Sequence, residues 1–546
     1  FSHVLAYWLC QSSAFYSSVS PFCCSMQTQQ VYEDFQKTAQ EVLSSVLKIL
    51  LRMRDSFLAT CEEEGFENLD TSSHESIHTI RYGLKMFIDL GCFAMDRGKD
   101  WVGLLNIAWK GVITLLQTTI GREAFSNLID VEHVIGSVIR CTVDSLETAA
   151  EACKFLLDGK DDVSKATEFK RLCIPIKFFL INAVRIATSY PYQTAVVFRE
   201  IGACGCKIAA LRHELSKHAL LRFAAEAIAE TVEPSLFILL HTLLNSSELA
   251  FSHKRQILDS LIEIDGQSVF DASNGNESET KKAITNIISD QEASLQIGKI
   301  TIFLGLLRSC REYGEETLFE LIRRLDSIFQ IISGSKVYAE LFQLHVVVTQ
   351  SSTKAMWECL YISILKALQI FFVTIADTST WGEVETFLFS NILHPHALCR
   401  ELILDLWCFI ARHCETTVTE VHIRYLLQIL SEFLNSRSIN CSDWPVQMLS
   451  RSICLLVKAT SNPLAVATIH ELAFGEDLFT SPSKTILGAV LMKEHFPISS
   501  VPEEVRGNLT FSITKSQVSK GAGSMVVPYL PVEVSLCCLI ELLIQG

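Results

Sequence analysis

Apolar residues return every three or four positions along most of this chain, and little interrupts them. Only 12 prolines and 24 glycines are spread over 546 residues, and sheet-rich folds need turn residues more often than that. A stripe with a period near 3.6 and few breakers marks helices buried through one face. The clearest stripes are Ile77, Ile80, Leu84, Phe87 and Ile88; Leu104, Leu105, Ala108, Val112, Leu115 and Leu116; Val134, Val138, Cys141, Leu146 and Ala149; and Ile423, Leu426, Leu427, Leu430 and Leu434. In the first long helix, 31–61, the inward stripe reads Phe35, Ala39, Val42, Val46, Ile49 and Leu50.

Roughly twenty such segments follow one another with short connections and no βαβ alternation. The expected fold is therefore all-α: an irregular HEAT/armadillo-like helical array (α-solenoid). Sequence repeats of the usual fixed lengths are absent, which leaves a compact multi-helix domain as the alternative. Residues 1–30 read as a poorly ordered N-terminal segment, 31–264 as an N-terminal helical array and 283–509 as a C-terminal one. Between them 265–282, DGQSVFDASNGNESETKK, nearly loses its apolar residues; it either separates two domains or bridges two helices of one array. Residues 510–531 read as irregular and 532–546 as a C-terminal helix. Pro175 predicts a kink or a boundary between two helices. Val337–Gln350 and Thr353–Ala376 read as two further helices.

Charge and cysteine usage narrow the function classes. Lys and Arg number 46 against 61 Asp and Glu, so 46 − 61 = −15. An acidic chain without a Lys/Arg run argues against direct nucleic-acid binding, which rests on clustered positive charge. Many of the 19 cysteines fall inside apolar stripes, among them Cys153, Cys359, Cys408 and Cys454. They read as buried free thiols of a protein in a reducing compartment. Residues 1–26 hold no Lys or Arg and so lack the positive start of a signal peptide. The most apolar stretch, Met356–Ala376, is interrupted by Glu358 and Lys366, so no membrane span is expected. A start at Phe1 rather than Met reads as a fragment or a misassigned start.

Motifs that carry chemistry were sought against their structural alternatives. GxxxxGK[ST], CxxC, HExxH and GxSxG are all absent. Gly202-Ala203-Cys204-Gly205-Cys206 has neither the spacing nor the Lys of a phosphate loop, and glycines inside a helical pattern read as sites of close helix packing. His394, His396 and Cys399 sit at a helix start with no second ligand cluster nearby, so surface or capping roles are expected. Cys408 and Cys414 flank the region of His413, but adjacent helix positions diverge. Glu401 and Asp405 lie one turn apart and could mimic an acid/base pair; contacts to a neighbouring helix or to solvent explain them more simply. No cofactor, metal or catalytic residue is expected.

One stretch stands out, Asn391–Glu415, NILHPHALCRELILDLWCFIARHCE. Leu398, Leu402, Leu406, Phe409 and His413 form its stripe, with Pro395 just upstream where it can help start a helix. Asp405, Trp407 and Arg412 are the candidate partner-binding residues: Trp407 as a core ring or an interface anchor, and the two charges as parts of a patch.

The words His394-Pro395, Leu402, Asp405-Leu406-Trp407-Cys408-Phe409 and Arg412 resemble a pattern in the large helical proteins that interact with the fidgetin-like AAA ATPase and regulate recombination. The resemblance covers about 22 residues. It implies a non-enzymatic scaffold in the nucleus, and also in the cytoplasm. The scaffold would bind a fidgetin-like AAA ATPase and a RecA-like recombinase, and would act in homologous recombination, DNA repair and the control of meiotic crossovers. It carries over no catalytic residue, cofactor or small-molecule substrate. The competing expectation is a generic HEAT-type adaptor in transport or another multiprotein complex.

Overall fold

The computed structural model describes residues 26–64, 71–96, 101–117, 129–155, 162–262, 279–341, 345–349, 355–435 and 444–460, with isolated positions at 125 and between 487 and 494. Residues 1–25 of the expected N-terminal segment, 265–278 of the expected linker 265–282, and the expected segments 510–531 and 532–546 lie outside these residues, and 279–282 of that linker open a helix instead. Among the described residues the protein is all-α apart from one two-stranded hairpin. Two compact units are present: Phe1–Ile331 with Ser335–Ser363, and Ile332–Gly334 with Ile364–Gly546.

The first unit begins with α1 (Met26–Glu64), α2 (Thr71–Asp96) and α3 (Val102–Leu116). Helix α3 is apolar on almost every side, because α1, α2 and the later helix Asp162–Ser189 enclose it. Two glycines permit this: a Cβ on Gly111 would lie 2.9 Å from the Phe87 ring, and one on Gly91 2.6 Å from Trp109 Nε1. A buried helix end must find partners for its last carbonyls. Here Arg54 Nη1 donates to Thr114 O at 2.6 Å and to Gln117 O at 3.0 Å, while Tyr190 Oη donates to Leu116 O at 2.8 Å.

The inward face of α1 is only partly the expected one. Ala39 and Leu50 are buried as expected, but Val42 and Val46 are half-buried and Ile49 is exposed, while Leu43 and Leu47 are buried. Two apolar stripes lie side by side on this helix, and only the packing against α2 and α3 selects between them.

Next come α4 (Val131–Phe155) and α5 (Asp162–Ser189). Pro175 lies inside α5, which continues through it, so it marks no boundary between two helices. A proline removes one backbone bond and crowds the preceding turn. In α5 that cost is offset by packing against α4 and two later helices. Ser164–Ser189 and Ala219–Leu244 are each long and apolar enough to cross a membrane by length and composition, with 44% and 56% of their windows buried in the protein.

Helices α6 (Pro191–Val196), α7 (Phe198–Lys217), α8 (Arg222–Thr231), α9 (Glu233–Leu244) and α10 (Phe251–Ile262) follow, then the long α11 (Glu279–Arg308). Both α10 and α11 pack on α7, so the helices flanking 263–278 share one unit, and the division between units falls at 332–364. The unit ends with α12 (Glu315–Arg323), α13 (Leu325–Ser333), α14 (Ser335–Glu340) and the hairpin.

That hairpin corrects the sequence reading. Strands β1 (His345–Thr349) and β2 (Ala355–Cys359) pair antiparallel, with Val346 opposite Glu358 and Val347 opposite Trp357, where two helices were expected. Three consecutive β-branched valines are stiff in a helix and fit a pleated ladder, and the intervening Gln350-Ser351-Ser352-Thr353 is a turn-rich bracket that the apolar count overlooks. In the second unit α15 (Leu360–Ile375, taken from Ile364), α16 (Trp381–Asn391), α17 (Ala397–His413), α18 (Thr416–Asn435) and α19 (Trp444–Ala459) follow in order. Consecutive pairs α16/α17, α17/α18 and α18/α19 are packed together, and α17 also meets α19.

Candidate functional site

In the second unit α17 is the central element. Leu398, Leu402 and Leu406 of the expected stripe are buried, Phe409 is half-buried and His413 is exposed. Ile403, Leu404, Trp407, Ile410 and Ala411 are buried as well, so the helix is enclosed over much more than one stripe.

The start of α17 is held locally. The His396 N–H donates to His394 Nδ1 at 3.1 Å, and Arg400 Nη1 donates to His394 O at 2.7 Å and Pro395 O at 2.9 Å. The Arg400 guanidinium in turn lies 5.1 Å from the centre of the Trp444 ring. Cys399 is fully buried, and burial pushes its thiol up to about 12. The His394 and Arg400 contacts hold the segment leading into the helix, whose N-cap residue His396 makes no side-chain capping bond; among the described residues no group of three His, Cys, Asp or Glu side chains could hold a metal ion.

The three candidate partner residues do not converge. Trp407 is 1% exposed, with its ring centre 4.9 Å from that of Phe389 in an edge-to-face contact. Phe389 also stands 4.7 Å from Tyr425 and 5.6 Å from His422. Trp407 is therefore the floor of an aromatic cluster joining α16, α17 and α18, and not an interface anchor. Asp405 and Arg412 are exposed; seven positions apart, they share a helix face roughly opposite to Trp407. Beside the cluster, His422 Nε2 lies 2.9 Å from Glu385 Oε1, which also accepts from Trp381 Nε1 at 3.0 Å.

The other suggested chemistry dissolves into packing. The His413 ring centre lies 4.7 Å from that of Phe409 in a tilted contact, and burial pushes the Cys408 thiol up to about 11, away from the range of a ready nucleophile. Glu401 faces Arg451 at 3.8 Å. In the first unit a Cβ on Gly202 would meet Ser260 Oγ at 2.5 Å, and one on Gly298 the backbone of Ala210 and Cys206 at 2.9 Å. Glycines on both α7 and α11 thus permit close helix packing.

The sequence reading missed a buried polar network that seats the hairpin. Arg212 Nη1 lies 2.9 Å from Glu233 Oε2, with both side chains nearly buried. Arg308 Nη2 donates to Ser363 Oγ at 2.6 Å and Ser363 O at 3.1 Å, and faces Glu358 Oε1 at 3.4 Å. Burial pushes the Glu233 carboxyl up against the pull of Arg212 and Arg308, and pulls Arg308 down against the pull of Glu358. Two cations and two anions balance each other.

Along β2, Trp357 and Glu358 point to opposite faces. Trp357 Nε1 donates to Glu226 Oε1 at 2.7 Å beneath the Arg222 guanidinium, while Glu358 meets Arg308. These charges lie far apart in sequence, so no local spacing announces them.

The profile of a family described as a domain of unknown function, DUF4487, matches residues 102–521, more than half of the chain. The chain belongs to this family. The DUF4487 match takes in the hairpin, its polar network and the whole of α17. No curated protein matches the chain. A crystal structure of an engineered protein from a structural-genomics consortium is 12% identical, covering 90% of this chain and 99% of that one, with a TM-score of 0.21.

Proposed function

We propose that this chain is a non-enzymatic helical scaffold that binds a fidgetin-like AAA ATPase and regulates a RecA-like recombinase in homologous recombination, DNA repair and meiotic crossover control. Its helices stack as an irregular HEAT/armadillo-like array, and it works in the nucleus and also in the cytoplasm. The carrying observation is the wording of 394–412, His394-Pro395 through Asp405-Leu406-Trp407-Cys408-Phe409 to Arg412, which resembles that family. The all-α framework is in keeping with it, as is the packing of consecutive helices against one another in the second unit. In this reading the ATP-driven work belongs to the partner, and the chain supplies a surface. The solvent-facing side of α17 presents Asp405 and Arg412, two exposed residues of that stretch, to a partner.

Affinity capture of the tagged full chain, with mass spectrometry of what it holds, tests the proposal. Recovery of a AAA ATPase or a RecA-like recombinase is expected, reduced when Asp405 and Arg412 are replaced by Ala. Capture of coat, cargo or transport-receptor proteins, with neither expected partner, overturns the reading and favours a generic HEAT-type adaptor.

A further inference from the structure

Two cysteines in the first unit meet across a helix interface. Cys92, near the end of α2, and Cys141, in the middle of α4, have their sulfur atoms 3.7 Å apart. Cys141 is buried and Cys92 half-buried. One turn further along both helices, Ser145 Oγ lies 3.7 Å from Met95 Sδ, so the contact belongs to a local stretch where the two helices run side by side in the same sense. A disulfide needs its sulfurs about 2.05 Å apart and its Cα atoms about 4.4–6.8 Å apart. Sulfurs already at 3.7 Å on packed helices have a short way to move.

We propose that Cys92 and Cys141 form an oxidation-sensitive dithiol that closes into a disulfide between α2 and α4 when the protein meets a hydroperoxide. Cys92 is the half-exposed sulfur and reacts first. Its thiolate attacks the O–O bond of hydrogen peroxide; one oxygen stays on sulfur as a sulfenic acid, and the other leaves as hydroxide and takes up a proton to become water. Cys141 then attacks the Cys92 sulfur, its proton passing to the departing hydroxyl, and a second water leaves. Two thiols are oxidised by two electrons, and one peroxide is reduced to two waters.

The assignment of roles follows from the contact. Cys141 is buried, and the hydrogen bond with Cys92 and then burial push its thiol up, so the more exposed Cys92 is the sulfur that meets the peroxide. The closed bond spans 49 positions of sequence. It ties the helices on either side of α3, which α2 packs against closely. Oxidation would thus stiffen the N-terminal part of the first unit without touching α17, where the proposed partner surface lies.

The experiment uses the full chain, reduced, then exposed to hydrogen peroxide, alkylated and digested without reductant for mass spectrometry. The expected product is a linked pair of peptides carrying Cys92 and Cys141, lighter than the two free peptides by two hydrogens and separated by dithiothreitol. Trapping with dimedone gives the second readout. Cys141→Ala is expected to accumulate dimedone-labelled Cys92, because no resolving thiol is present, while the wild-type chain labels weakly. Peroxide that leaves both thiols free, carries Cys92 on to sulfinic acid with Cys141 untouched, or joins Cys92 to a different cysteine overturns the assignment. Because the wild-type measurement stands by itself, poor folding of the variant does not rescue the proposal.

Discussion

Trp357 Nε1 donates to Glu226 Oε1 at 2.7 Å, and this single bond fastens β2 to α8 across 131 positions of sequence. The Arg222 guanidinium, 5.2 Å from the Trp357 ring centre, covers the same ring. The contact is partly buried and its acceptor is charged, so Glu226→Ala is expected to cost about 1–2 kcal/mol of the first unit's stability. Trp357→Phe keeps most of the ring but loses the donor, and should cost a similar amount. Denaturant titration checks the magnitude. Hydrogen exchange checks the location: protection should fall at the β1–β2 ladder amides before it falls in α3. Unchanged ladder protection in both variants would show that the hairpin is held elsewhere.

Glycines give a prediction in which the sign is diagnostic. On an open helix, Gly→Ala stabilises by about 1 kcal/mol, since alanine loses less conformational freedom. Gly136 in α4 has nothing within 4 Å of the added carbon, so Gly136→Ala should follow that rule. Gly298 in α11 is different, because its Cβ would sit 2.9 Å from the Ala210 nitrogen and the Cys206 oxygen. Those are backbone atoms of α7 and cannot rotate aside. Gly298→Ala should therefore force α7 and α11 apart and destabilise by about 1–3 kcal/mol, as overpacking does. Thermal melts of the two variants side by side decide the matter, and a gain at position 298 would refute the close approach.

How much of this was legible depends on how each residue is used. Helices with one strong stripe declared themselves: Ile77, Ile80, Leu84, Phe87 and Ile88 are all buried, as are Val134, Val138, Cys141, Leu146 and Ala149. The periodicity of a half-buried helix is written in a dozen residues, so local sequence suffices. Ala39 and Leu50 of the α1 stripe are buried, but the middle of the stripe slipped because Val42, Val46 and Ile49 repeat as regularly as Leu43 and Leu47, and partners far along the chain choose between them. The hairpin was missed because a short apolar run has no period long enough to tell strand from helix. Arg212, Glu233, Arg308 and Glu358 were invisible for a related reason: each is an ordinary helix or strand charge until the fold buries it. Trp407 was read both as core and as anchor, and only the Phe389 contact resolves it.

His213 makes the stability of the first unit sensitive to acid. It is buried, with Nε2 2.9 Å from Glu340 Oε2, and Lys217 Nζ lies 2.9 Å from the other oxygen of the same carboxylate. Burial holds the imidazole below its ordinary value of 6.5, against the pull of Glu340 and with help from Lys217 and Arg212. Between the folded and unfolded values the unfolded chain binds the extra proton, so stability falls as pH falls from about 6.5 downward. Burial would raise Glu340, but hydrogen bonds from His213 and Lys217 hold it below its ordinary 4.5, and its contribution is lost at lower pH still. The expected result is a first loss beginning below pH 6.5. His213→Gln should flatten that step and leave the more acidic one. Unfolding midpoints across pH 4–8 measure it, and an unaltered slope in the variant would rule His213 out as the cause.

The geometry of α17 separates folding from recognition. Trp407 fills the space beneath Phe389 and is 1% exposed, so Trp407→Ala should leave a cavity and cost about 3–5 kcal/mol. Trp407→Phe, which keeps an edge-to-face partner for Phe389, should cost less. Asp405 and Arg412 lie on the solvent side of the same helix, and their replacement by Ala should change stability by no more than about 0.5 kcal/mol. If the recognised stretch binds a partner, the double variant Asp405→Ala/Arg412→Ala loses capture while its melting curve stays with the wild type. Trp407→Ala loses both together. Calorimetry and capture on the same preparations distinguish the cases. Should Trp407→Phe abolish capture at wild-type stability while the surface pair has no effect, the partner must reach the aromatic cluster itself, and the solvent face of α17 is not the contact.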